Sequence, residues 1–167
     1  PSLTLSSARQ SDLTGIFVGI SAFEFARILS SRPATTYSAT GSEASVASGR
    51  LSYALGLHGP CVSMDTACST ALVAIHAALR AIELHESTVS VTASANMMLT
   101  PFSSHGLAVS GMTSALGRCH SFDSRADGYA RSEGCGAASL RLSCESPSLR
   151  GSAVRQDGRS ASLTAPN

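Results

Sequence analysis

A chain of 167 residues with 43% hydrophobic and 14% charged side chains has enough apolar surface for one modest domain, and its composition is neither that of a disordered chain nor of a membrane-spanning one. A net charge of +1 gives no electrostatic case for nucleic acid or an anionic membrane as partner. All 12 basic residues are arginines, which excludes lysine chemistry within the chain.

No apolar run is long enough to span a bilayer. The opening "PSLTLSSARQSD" lacks the basic start and apolar centre of a signal peptide. It also lacks an initiator methionine, so residues 1–167 are expected to be one incomplete domain of a longer protein. Five cysteines without a CxxC pair fit free thiols in a reducing compartment, cytoplasmic or organellar, better than a disulfide scaffold or a zinc site.

In chain order, "GIFVGIS" (Gly15 to Ser21) reads as a short buried strand and "AFEFARILSS" as a short helix. "RPATTYSATGS" reads as a loop, punctuated by Pro33 and Gly41. "EASVASGRLSYALGL" places Val46, Leu51, Ala54 and Leu55 near helical spacing, and "HGP" ends that helix. From Cys61 to Thr100 there is neither glycine nor proline, so long regular elements are expected. "CVSMDTA" is a strand. "STALVAIHAALRAIELHE" then sets Leu72, Ile75, Leu79 and Ile82 on one apolar stripe, with Ala71, Ala74, Ala77, Ala78 and Ala81 over most of the remaining circumference, which predicts a helix about 27 Å long that is buried on several sides. "STVSVTASA" is another strand, and strand, helix, strand in close order predicts a crossover within a mostly parallel sheet. A mixed segment leads from Pro101 to Gly117, then comes the polar run "GRCHSFDSRADGYARSEG". "CGAASLRL" and "LRGSAVRQDG" read as two last strands.

Cys68, in "MDTACSTAL" (Met64 to Leu72), falls at the turn from strand to helix, in the first turn of that helix. Unpaired N–H groups and the helix dipole there favour an anion, and a thiolate is the nucleophilic form of cysteine. The same N–H groups suit the oxyanion formed when a thiolate attacks a thioester carbonyl. Ala67, Ser69, Thr70 and Ala71 are small enough for a substrate to approach, as in the nucleophile elbow of hydrolases. The competing reading is a buried structural thiol, which is also the reading for Cys61, Cys119, Cys135 and Cys144. Asp123, Arg125, Asp127, Arg131 and Glu133 can be read as catalytic carboxylates or a phosphate clamp. Their mixed signs within a few residues favour an ion-pair and turn network.

"GPCVSMDTACSTALVAIHAAL" resembles the active-site segment of the β-ketoacyl synthases, the condensing enzymes of fatty acid and polyketide synthesis. Gly59, Ala67, Cys68, Ser69, Thr70, Ala71 and Ile75 meet the family's pattern, in wording closest to type I polyketide synthases. "ATGSEASVASGRLSYALGLHGP" resembles the segment upstream, "GRCHSFDSRADGYARSEGCG" the "FDxxADGYxRGEG" signature, and "RGSAVRQDGRSASLTAPN" the stretch after it. Four segments in the right order make the match specific.

The resemblance implies an α/β fold of the thiolase type, layered αβαβα, with this chain covering most of its first half. It implies that Cys68 is the catalytic acyl acceptor, taking an acyl thioester from an acyl carrier protein for decarboxylative Claisen condensation with a malonyl-type extender. It implies no resident cofactor, since the phosphopantetheine belongs to the carrier protein, and a homodimer when full length. The family's "HGTGT"-like and "KSNIGH"-like motifs are absent, and His58, His76, His85, His105 and His120 stand in no matching context. The chain alone is therefore expected not to condense. The family's Gly-Gly in the strand after the active-site helix is Ala93 and Ser94 here, Ser132 replaces the glycine of "RGEG", and the link between the last two strands is short. Two other readings are a non-catalytic chain-length partner, disfavoured by the retained Cys68, and a thiolase or chalcone-synthase-like enzyme using coenzyme A, disfavoured by "RADGY".

Overall fold

Ile16, Phe17 and Val18 are consecutive residues buried to 1%, 3% and 5% exposure, so the strand that carries them must be covered on both faces. In the computed structural model, which describes residues 13–21, 23–143 and 147–162, that strand is β1 (Thr14–Ile20). The next elements are α1 (Phe23–Ser30), α2 (Ser38–Ser42) and α3 (Ala47–Leu55), then β2 (Cys61–Met64), α4 (Thr70–Glu83), β3 (Val89–Asn96), α5 (Pro101–Val109) and β4 (Gly134–Arg141). The sheet order is β2-β1-β3-β4. β1 is parallel to both β2 and β3, and β4 runs antiparallel to β3. The predicted strand–helix–strand unit is present, with β2 and β3 on either side of β1 rather than adjacent.

Register assigns the faces. Phe17 lies level with Thr92 and packs with Ala74, Ala78 and Ala81, which puts α4 on that face. Val18 lies level with Ser63, whose hydroxyl donates to Ser48 Oγ at 2.9 Å and accepts from Ser48 N–H at 3.1 Å. That places α3 on the opposite face, so the chain builds an α-β-α sandwich. Ser87 and Ser90, both buried, likewise pair with each other at 2.8 Å, and Thr92 donates to Ala138 O at 3.3 Å, as groups away from water generally do.

α4 is buried along one face rather than on several sides. Thr70, Ala74, Ala78, Ala81 and Ile82 face the sheet, while Leu72 is 71% exposed. The Phe17 ring already fills the space between sheet and helix, so only a small-residue face lets α4 approach. The helix has 14 residues, about 21 Å at the usual rise rather than 27 Å.

Four further elements depart from expectation. The predicted loop at 32–42 contains α2, a single turn with no buried residue. The helix expected to stop at "HGP" begins with a 3-10 turn (Ala44–Val46) and ends earlier, at Gly56 in the left-handed conformation. The mixed segment after Pro101 holds α5, with the proline at its start, where a missing N–H costs nothing. Residues 149–158 form no strand. No neighbouring edge among the described residues pairs with them, and an unpaired extended segment leaves its backbone groups to water. Part of the short link before it, Cys144 included, lies outside the described residues.

Candidate active site

β2 stops at Met64, and the chain turns through Asp65 and Thr66 into a 3-10 turn, Ala67–Ser69, that leads straight into α4. Cys68 therefore lies in the turn before α4, two residues ahead of the helix start at Thr70, and not in the first turn of the helix as the sequence suggested. It stands at the carboxyl end of the parallel strands, where open α/β sheets hold their ligands. Ala67, immediately before it, has φ 56°, a left-handed conformation that costs a residue with a Cβ about 1–2 kcal/mol. Asp65 Oδ1 accepts the Ser21 hydroxyl at 2.7 Å and the Ala67 N–H at 2.9 Å. These bonds, the Ala67 N–H first, hold the Asp65 carboxyl below its ordinary value of 3.8. Thr70 Oγ1 accepts the Thr66 N–H at 2.8 Å and donates to Ala67 O at 2.6 Å.

The turn presses closely on β1. A Cβ on Gly19 would lie 2.7 Å from Thr70 Cγ2 and 3.0 Å from Thr70 O, so only glycine permits this approach. Gly19 is level with Ser94, and Ser94 with Gly136. Ser94, which stands in place of a family glycine, adds a side chain at a position where both of its neighbours in the sheet have none.

Cys68 opens into a cleft of about 670 Å³ bounded by Gly19 to Ser21, Ser94 to Asn96, Met112 and Tyr129 to Ser132. Its thiol is exposed, but so are those of Cys61, Cys119 and Cys135. The buried-thiol reading of those three is thus overturned. Cys61 and Cys135 lie on the two outer strands, and Cys119 lies in a loop where its Sγ accepts the Ala130 N–H at 3.1 Å. What separates Cys68 from them is the cleft and the strained turn, not burial. His76 is midway along α4 with Nδ1 2.8 Å from Ser152 Oγ, and His58 and His120 are loop residues. None of the three lines the Cys68 cleft. No group of three or more His, Cys, Asp or Glu among the described residues could hold a metal, and no described helix is long and apolar enough to cross a membrane.

The polar run forms the far wall. Gly128 has φ 134°, and a Cβ there would lie 2.5 Å from Ser114 N. With no side chain in the way, Tyr129 bridges to the 112–114 segment, donating to Met112 O at 3.1 Å and accepting from Ser114 N at 3.0 Å. Asp123 and Arg125 form a two-pronged pair at 3.0 and 2.7 Å within one turn. Glu133 accepts the Met98 N–H at 2.8 Å, and Asn96 donates to Ser132 O at 2.6 Å. The ion-pair and turn network is thus present, with one member that the sequence reading missed. Glu24 on α1, buried at 9% exposure, accepts the N–H groups of Leu99 and Thr100 and stands 3.6 Å from Arg131. Arg131 also donates to Ser104 at 2.8 Å. The only sequence signal is a lone carboxylate in an otherwise apolar helix start.

Burial alone would raise the Glu24 pKa. The Thr100 N–H, the Ser103 hydroxyl, the Leu99 N–H and the Arg131 guanidinium together outweigh it and hold the carboxyl below its ordinary 4.5. A folded-state value below the unfolded one contributes stability that is present above the unfolded value and lost as pH falls through the folded one. The melting temperature is expected to stay level from neutrality down to about pH 5 and to drop below that. Glu24→Gln should melt lower at neutral pH and show a shallower acid limb. Parallel acid limbs in the two proteins would refute the assignment.

Comparison with known proteins matches this geometry to one group. A family model described as the N-terminal domain of β-ketoacyl synthase matches residues 2–143. The chain is 40% identical over 164 residues to one of the phenolphthiocerol/phthiocerol polyketide synthase subunits of Mycobacterium tuberculosis, covering 92% of this chain and 9% of the relative. It is 37% identical to a mycocerosic acid synthase-like polyketide synthase of Mycolicibacterium smegmatis, over 92% of this chain and 8% of that one. In structure it is similar to the ketosynthase from module 6 of the bacillaene synthase of Bacillus subtilis, with a TM-score of 0.78 and 30% identity. That match covers 93% of this chain and 28% of the ketosynthase. An oxazolomycin ketosynthase domain of Streptomyces albus gives a TM-score of 0.69 at 33% identity, over 78% and 24% of the two chains. The mixed α/β sheet with helices on both faces is that of these ketosynthases. The chain spans less than a tenth of the length of these two polyketide synthase relatives.

Proposed function

The chain belongs to the β-ketoacyl synthase family, and from that premise we propose that Cys68 is the acyl acceptor of a 3-oxoacyl-[acyl carrier protein] synthase of the polyketide type. The observation that carries this reading is the placing of one thiol, on a strained strand-to-helix turn, in a cleft at the carboxyl ends of three parallel strands. In the first half-reaction the Cys68 thiolate attacks the carbonyl carbon of an acyl-phosphopantetheine thioester. The bond from that carbon to the pantetheine sulfur breaks, the pantetheine thiolate leaves and takes up the proton that Cys68 released on ionising, and the acyl group stays on Sγ as a new thioester. The Thr70 N–H at the start of α4 is given to Ala67 O, so on this reading the donor in the turn for the oxyanion formed on the way is the N–H of Cys68 itself. In the second half-reaction a malonyl-type extender on the carrier protein loses CO₂, and its carbanion attacks the acyl carbon and expels the Cys68 thiolate. Dividing the reaction through a covalent intermediate replaces one difficult step by two easier ones.

The family's histidine and lysine motifs for the second half-reaction are not in this sequence. The partners on this reading are an acyl carrier protein, its acyl and malonyl thioesters, and a second copy of the full-length protein. Presented with acyl-loaded carrier protein, the chain should gain one acyl mass that hydroxylamine removes. Given malonyl-loaded carrier protein as well, it should release no β-ketoacyl product. A chain that takes no acyl group, or one that turns over to product, would overturn the respective half of this reading.

A further inference from the structure

Ala67 is held at both of its backbone polar groups, and the two anchors come from different elements. Its C=O takes the proton of Thr70 Oγ1 on α4, and its N–H goes to Asp65 Oδ1. Thr70 has a single hydroxyl proton, and its 2.6 Å bond to Ala67 O uses it, so its 3.5 Å approach to Asp65 is not a second such bond. Asp65 is tied in turn to the end of β1 through Ser21. A left-handed alanine persists only where its surroundings over-determine it, and here the Asp65 carboxylate is the one side chain that joins its N–H to the sheet. The residue held in this way is the one whose C=O leads into the Cys68 peptide.

Resting on the reading of Cys68 as acyl acceptor, we propose that Asp65 is its positioning residue: the carboxylate locks Ala67 in the left-handed conformation and so fixes the Cys68 thiol in the cleft for acyl transfer. Asp65 touches neither substrate nor the reacting atoms, and acts through the Ala67 peptide. The distinction is measurable, because acyl transfer needs thiol, carbonyl and oxyanion donors in register, whereas alkylation by iodoacetamide needs only an accessible thiol.

The test measures both rates at Cys68 in the 167-residue chain, acylation from an acyl-pantetheine thioester and alkylation by iodoacetamide, with each product located by peptide mass spectrometry. Asp65→Ala is expected to slow acylation about ten-fold or more without slowing alkylation. Asp65→Asn should keep most of the acylation rate, since both donors bond to the one oxygen, Oδ1, and an amide oxygen can accept both. Asp65→Ala combined with Ala67→Gly should recover acylation, because glycine adopts the left-handed conformation freely. That recovery is not expected of a residue that merely stabilises the fold. Unchanged acylation in Asp65→Ala would overturn the proposal alone. So would equal loss of acylation and alkylation, or no recovery in the double variant. A wild-type chain that accepts no acyl group would overturn the reading of Cys68 and this proposal with it.

Discussion

Cys68→Ala is expected to reduce acyl transfer onto the chain to background while leaving its melting transition in place. The side chain is exposed and makes no packing contribution to the core, so its loss should change stability by no more than about 0.5 kcal/mol. Cys68→Ser should be nearly as inactive, because a hydroxyl at neutral pH has almost none of the anionic form that makes a thiol reactive. Cys61, Cys119 and Cys135 are exposed as well, which makes this experiment discriminating. If acylation only followed exposure, removing one thiol of several would lower incorporation by a fraction. Intact mass after exposure to an acyl thioester separates the two outcomes. An alanine variant that still carries an acyl group would show that another cysteine does the work.

Phe17→Ala is expected to cost about 3–5 kcal/mol, the range for deleting a buried aromatic ring. Domains of ordinary stability hold roughly 5–15 kcal/mol in total, so the variant should melt far below the parent or fail to fold. The reason is specific to this architecture. Most of the face of α4 against the sheet is Thr70, Ala74, Ala78 and Ala81, with Ile82 at its end, and the alanines are too short to meet a neighbour that is not itself large. Phe17 is the one large side chain in the buried cluster with Ala74, Ala78 and Ala81, and the half-buried Met64, Ala77 and Leu140 pack against that cluster. Without the ring the cavity is lined by methyl groups that cannot collapse into it. Thermal or urea unfolding gives the measurement. A loss below about 1 kcal/mol would mean that α4 is held mainly by something other than this contact. The consequence reaches the site, because Thr70 at the start of the same helix supplies two of the bonds that shape the turn before it.

The strands β1, β2 and β3 are readable because each is a short apolar or β-branched run bounded by turn residues or by α4. The existence of α4 is readable for the same kind of reason, but its buried face is not. Periodicity marks the most hydrophobic stripe as the inner one, whereas here the neighbour is a phenylalanine at the middle of a sheet and steric fit selects the alanines. Leu72, left outside at 71% exposure, joins Val109, Leu116 and Phe122 as large apolar groups in contact with solvent. α5 escapes notice because "PFSSHGLAV" mixes serines, a histidine and a glycine with no continuous stripe, so only the proline at its start marks it as a helix. The segment at 149–158 has strand-like composition but pairs with no described strand, and pairing is decided by partners rather than propensity.

Cys68 itself is legible from the strand-to-helix junction and its small neighbours. Its surroundings are only half legible. That Asp123, Arg125, Arg131 and Glu133 form turns and ion pairs follows from their mixed charges. That Arg131 reaches back across the sequence to Glu24 on α1 cannot be read, because a pair so far apart leaves no local pattern. The glycine of "ADGY" stands in the sequence as part of a signature, and its physical reason, a backbone contact at Ser114 with no room for a Cβ, needs the fold.

Limited labelling with cerulenin, a cysteine-directed inhibitor of condensing enzymes, followed by peptide mapping of all five cysteines, tests most directly whether Cys68 is a nucleophile set apart by its turn and cleft. At less than one equivalent, label on the peptide carrying Cys68 and on no other is the predicted result. Equal labelling of Cys61, Cys68, Cys119, Cys135 and Cys144 would contradict it.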